Sequence, residues 1–170
     1  MTSFIFSILL FTCCETIHIP APTPISIPAV LKINNPAKPD SVLSTGWYYI
    51  INKDNGYKRL LDKASEYYFI DPTPITTAKN FTQLRVYAAK DRGFGLLILL
   101  DETGTKAWSS ATKKASRNYQ KLGFILDNKL LYLAPVFSQI TNGTTAVTRN
   151  DYTKDELESF KTRIEKEINK

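Results

Sequence analysis

The stretch Phe94-Gly95-Leu96-Leu97-Ile98-Leu99-Leu100-Asp101-Glu102-Thr103-Gly104-Thr105-Lys106-Ala107-Trp108 changes its hydrophobic period midway. Phe94 to Leu100 is an almost continuous apolar run, the pattern of a central strand covered on both faces. Beyond Asp101, Ala107, Ala111, Ala115 and Tyr119 recur every four residues, with Trp108 beside them. That spacing predicts one buried face of a helix from Gly104 to about Tyr119. Asp101 and Thr103 stand where a helix start needs oxygen acceptors for its free amides.

Upstream, Gly46 to Ile51 is aromatic and β-branched and reads as a first strand, followed by an Asp54-Asn55-Gly56 turn. Glu66 to Ile70 is a second strand, expected to stop at Asp71-Pro72-Thr73-Pro74. Gln83 to Ala88 alternates and forms a third, with a turn at Asp91-Arg92-Gly93. Downstream, Leu122 to Leu126 is a strand, Asp127-Asn128 a hairpin turn, and Leu130 to Val136 an extended run that Pro135 marks as an edge or a bend. Asn142-Gly143 turns the chain again before a β-rich run over Thr144 to Thr148. The final helix opens on Thr153 and Glu156, a capping-box pair, and buries Leu157, Phe160, Ile164 and Ile168. The expected class is α+β: a mainly antiparallel sheet with two helices on one face, ferredoxin-like in the second half.

The first 45 residues differ in kind. Met1 to Cys14 has an apolar run too short to span a bilayer as a helix, which takes about 20 residues. It has the length of a secretory h-region. Its end at Cys13-Cys14 resembles a bacterial lipoprotein signal, in which a cysteine is lipidated. Ile19 to Thr45 holds six of the nine prolines, which fix φ and remove amide donors, so it reads as an extended tether. The expected organisation is a signal over 1–14, a proline-rich tether over 15–45 and one domain over 46–170.

Composition narrows the chemistry. The chain has 170 residues, 2 Cys and 1 His. Both cysteines and His18 precede Ile19, so no Cys–His dyad or Ser–His–Asp triad is possible in the domain. No zinc finger and no disulfide framework can be built either. The net charge of +6 falls wholly on residues 41–170, with Lys113, Lys114, Arg117 and Lys121 as the densest group. Such an excess suits nucleic acid or anionic lipid, and most often marks only a solvated helix face; no aromatic-rich RNA-binding signature accompanies it, and nucleic acid is not an expected partner.

Several markers come in a familiar order. They are Asp101 and Gly104, Thr112 in the helix, Leu126-Asp127, Ala134-Pro135, Ile140 with Gly143, and Tyr152-Thr153. Over roughly residues 95–168 this resembles the head subdomain in the first periplasmic region of SecD and SecDF, accessory subunits of the Sec translocon. The resemblance implies a fold and a binding surface for protein or unfolded polypeptide. It carries over none of the charged transmembrane helices through which that family couples export to proton flow. Residue by residue, the markers read as turn and cap chemistry.

Three functional readings follow. The first is a non-enzymatic interaction domain held at the bacterial cell envelope by a lipidated Cys13 or Cys14, without cofactor or metal, binding extended polypeptides by strand addition or in a groove between the helices. The second is a hydrolase using paired carboxylates drawn from Asp71, Asp91, Asp101, Glu102 and Asp127 near strand ends. The third is a ligand module built on Trp47, Tyr48, Tyr49, Tyr67 and Tyr68. The first is the expected one.

Overall fold

The computed structural model describes residues 41–52, 56–89 and 93–169. The signal and tether readings up to residue 40, the first two residues of the Asp54 turn, and Asp91-Arg92 lie outside these residues. Among these residues eight strands and two α-helices follow in the order β1 (Gly46–Ile51), β2 (Tyr57–Leu60), β3 (Tyr67–Thr77), β4 (Phe81–Ala88), β5 (Phe94–Leu100), α1 (Glu102–Arg117), β6 (Lys121–Leu126), β7 (Lys129–Pro135), β8 (Thr144–Thr148) and α2 (Lys154–Ile168), with a 3₁₀ turn over Ala78–Asn80 between β3 and β4. The class is α+β, and every strand-to-strand pairing is antiparallel.

The strands divide between two sheets. One has five strands in the order β2-β3-β1-β6-β7, the other three in the order β4-β5-β8. A ferredoxin-like block would have put β5 to β8 in one sheet. Here β6 and β7 pair in the large sheet while β5 and β8 pair in the small one.

One apolar core joins the two sheets. Trp47, Leu122, Phe124, Leu126 and Leu131 enter it from the large sheet, and Leu84, Leu96, Ile98 and Val147 from the small one. Helix α1 adds Trp108 and Ala115, and α2 adds Leu157 and Ile164. The Trp47 ring centre lies 5.0 Å from Trp108 and 5.1 Å from Phe124. Strand alternation sends Tyr48, Ile125 and Leu130 to the opposite face of the large sheet, where they bury Leu43 and Ile70 in a second cluster.

The segment Ser41–Thr45 therefore belongs to the domain, although it ends the expected tether. The Leu43 amide donates to Asn128 Oδ1 at 3.0 Å, and Arg59 Nη2 donates to the Ser41 carbonyl at 2.9 Å. Arg59, only 8% exposed, also donates to Asn128 Oδ1 at 2.6 Å and to the Asn128 carbonyl at 3.0 Å. A guanidinium is buried only when its donors find acceptors, and these supply them.

Three local expectations change. Strand β3 does not stop at Asp71-Pro72-Thr73-Pro74 but runs through it to Thr77. Its pairing slips there: Ile50 faces Ile70, yet Tyr48 faces Pro74, so the proline segment bulges. Both prolines also lie past Ile70, the last residue paired with β2, where that side of β3 is an edge. Strand β2, Tyr57-Lys58-Arg59-Leu60, has no apolar alternation to reveal it. Finally, α1 ends at Arg117, and Tyr119 leaves the buried stripe. The Gln120 amide donates to the Ala115 carbonyl at 2.9 Å, and Tyr119 takes a left-handed φ of 51°, the C-terminal motif usually made by glycine.

Candidate interaction surface

The residues marked by the family pattern fall at three places. The first surrounds the start of α1. Asp101 is the helix N-cap, and the Gly104 amide donates to its Oδ1 at 2.6 Å. The helix thus begins two residues before Gly104. Gly104 is buried against Asn80, whose carbonyl accepts the Asp101 amide at 2.8 Å. Thr112 is fully buried; its hydroxyl donates to the Trp108 carbonyl at 2.9 Å and accepts the Ile140 amide at 2.9 Å. Gly143, at φ 66°, lets the chain pass against Thr105, and its carbonyl accepts the Leu100 amide at 2.8 Å. Together these contacts hold the segment 136–143 along the flank of α1.

The second place is the β6–β7 hairpin. Asp127 and Asn128 both have positive φ, 47° and 64°, as a two-residue type I′ turn requires. Asp127 also pairs with Arg163 of α2. Ala134 and Pro135 end β7, an edge strand of the large sheet, as the proline predicts. The third place is the start of α2. Tyr152, 2% exposed, lies 2.9 Å from Asp62 Oδ2 and 3.0 Å from the Leu131 carbonyl, its one hydroxyl hydrogen serving both acceptors. Burial, followed by the Asp62 carboxylate, pushes its phenol pKa up. Arg149 Nη1 donates to the carbonyls of Asp62 (2.7 Å) and Leu131 (2.9 Å). Arg149 and Tyr152 therefore tie the strand β8–α2 junction to the large sheet. Neither Arg149 nor Asp62 carries a sequence signal for this, because their partners are 18 to 90 residues away.

The carboxylates proposed for hydrolysis are occupied locally. Asp101 caps α1, Glu102 pairs with Lys106 at 2.5 Å, Asp127 pairs with Arg163, and Asp71 accepts the Thr73 amide at 2.8 Å. Asp91 lies outside the described residues. The aromatic set is divided too. Trp47 and Tyr48 are buried on opposite faces of the large sheet, while Tyr67 is exposed.

Two surfaces stay open. One is a shallow groove of about 400 Å³ between α1 and the 136–143 segment, lined by Thr105, Ser109, Ser110, Lys113, Gln139 and Thr141 among others. Gln139 Nε2 donates to Ser109 Oγ across it at 2.8 Å. The other is the small sheet. Its inner face meets α2, and its outer face presents Gln83 and Arg85 of β4 opposite Leu99 and Leu97 of β5. Among the described residues, β4 pairs with β5 alone, so the other edge of its eight residues is free. No described helix is long and apolar enough to cross a membrane.

Comparison with known proteins places the architecture. No family model matches the sequence, and no curated protein does. A crystal structure of SecDF in its super-membrane-facing form superposes on 72% of this chain and 19% of that one, with a TM-score of 0.55 and 12% identity. A structure of a membrane component SecDF that enhances protein export superposes on 72% of this chain and 63% of that one, with a TM-score of 0.53 and 10% identity. The chain spans about a fifth of the first and under two thirds of the second. The superposed share exceeds the residues 95–168 that carry the sequence resemblance. What is shared at these identities is the fold, and the fold is that of a SecDF-like domain.

Proposed function

We propose that this is a non-enzymatic domain of the bacterial cell envelope that works in protein export by binding extended polypeptide segments. The observation that carries the reading is the edge of β4 that no other described strand pairs, eight residues long beside the half-buried Leu97 and Leu99. An open edge offers a row of backbone donors and acceptors to any extended chain, independent of its sequence, as an export client requires. The SecDF-like fold supports the export setting. The absence of histidine and cysteine after His18, and the local occupation of Asp71, Asp101, Glu102 and Asp127, support a binding role over hydrolysis.

Hydrogen exchange tests the edge. When an unfolded secretory polypeptide is diluted from urea onto the full chain, alternate amides of Phe81–Ala88 are expected to become protected. Unchanged β4 amides, with protection elsewhere, would refute strand addition. The anchoring part of the proposal rests on Cys13 and Cys14. Palmitate labelling in cells is expected to vanish in the Cys13→Ala/Cys14→Ala double variant, and persistence of the label would remove the lipid anchor.

A further inference from the structure

Charge is unevenly placed on this domain. From Thr103 to Leu126 there is no Asp or Glu, while Lys106, Lys113, Lys114, Arg117 and Lys121 are basic. Asn128 to Asn150 is equally free of acids. These two runs carry all of α1 but Glu102, strands β6, β7 and β8 and the segment 136–143, with Asp127 at the hairpin turn between them. The buried face of α1 is Gly104, Trp108, Ala111, Thr112 and Ala115, so the helical period turns Lys106, Lys113 and Arg117 to the opposite side. They span about 16 Å along the axis. The one carboxylate of α1, Glu102, is taken by Lys106.

Two exposed aromatics lie close to the end of this stripe. Lys121 pairs with Pro135, and Tyr119 and Phe137 each stand two residues beyond that pair, at the same end of the hairpin. They are 90% and 85% exposed. Tyr119 holds its position in the left-handed region, which glycine enters without the steric cost of a Cβ.

We propose that this corner seats the domain on an anionic lipid surface. Lys113 and Arg117 face the headgroup phosphates, and Tyr119 and Phe137 enter the boundary between headgroups and chains. The charge selects an anionic partner. The protruding aromatics select a fluid interface, which receives such rings without a preformed hollow. The inference stands independently of strand addition at β4.

Flotation of the full chain with vesicles provides the test. Vesicles of phosphatidylcholine alone are compared with phosphatidylcholine mixed with phosphatidylglycerol. The apolar N-terminal run acts on both, so the ratio of the two partition coefficients is read. Partition onto the mixed vesicles is expected to exceed that onto neutral ones and to fall with salt. Each basic side chain near such a surface is worth roughly five-fold. The Lys113→Gln/Arg117→Gln variant, confirmed folded by circular dichroism, is expected to lower the ratio about 25-fold or to unity, whichever comes first. Tyr119→Gly is expected to raise the thermal midpoint yet weaken partition onto the mixed vesicles several-fold, an opposition that a purely structural Tyr119 would not show. Equal partition onto both vesicles, a ratio surviving the double substitution, or retention by immobilised polyglutamate without any phosphatidylglycerol preference would overturn the proposal.

Discussion

Gly143 shows how a single residue positions a surface. Its φ of 66° and the proximity of Thr105 leave no room for a side chain, and its carbonyl receives the first amide before the α1 cap. Gly143→Ala is expected to lose about 1–3 kcal/mol, from positive φ and from the clash, measured by urea denaturation. Loosening of the 136–143 segment should accompany it, visible as faster exchange of the Ile140 amide now held by Thr112. Asn142-Gly143 was legible as a turn because the dipeptide is a local signal. The burial of Thr112 was not, because its partner Ile140 is 28 residues away. The same holds for Arg59, which reads as an ordinary surface charge until the fold brings Asn128 and Ser41 to it.

At the scale of elements, α2 is where sequence and structure agree most fully. Thr153 and Glu156 form the reciprocal capping box that their spacing predicts. Glu156 also meets Lys63 from the β2–β3 connection at 2.6 Å. That hydrogen bond, with those from Thr153, lowers the Glu156 pKa to about 2. A lowered folded-state pKa adds stability that is complete above the unfolded value of 4.5 and is lost as pH falls through about 2. The first turn of α2 is therefore expected to fray between these limits. NMR-detected exchange of the Thr153 and Glu156 amides across that range checks it, and Glu156→Gln should flatten the dependence. Strands with a local apolar or β-branched pattern, β1, β4, β5, β6, β7 and β8, were legible for the same local reason. β2 was not, since Lys58 and Arg59 break its pattern, and β3 was cut short because its prolines sit at a bulge and an edge rather than at its end.

For the described domain as a whole, the division into two sheets was the least legible property. Alternation tells which residues of a strand share a face, not which strand it pairs with. β5 and β6 are separated by one helix and go to different sheets. The basic helix face was readable from composition, but its aromatic corner depends on the β6–β7 register and on the left-handed turn at Tyr119. The β4 edge became visible only with the strand order. Because one core receives side chains from both sheets and both helices, the domain should unfold as a unit. Calorimetric and van't Hoff enthalpies are expected to agree, and separate transitions for the two sheets would contradict the shared core.

The tryptophan pair at that joint has a practical consequence. Trp47 and Trp108 are the two tryptophans of the chain, and both are buried with their rings 5.0 Å apart, inclined at 49°. Intrinsic emission must therefore be blue-shifted and resistant to aqueous quenchers, and the near-ultraviolet dichroism should carry the mark of two coupled indoles. Both signals watch the interior. Occupation of the β4 edge or of the Tyr119–Phe137 corner should leave them almost silent, so a fluorophore for either event has to be attached at the surface itself.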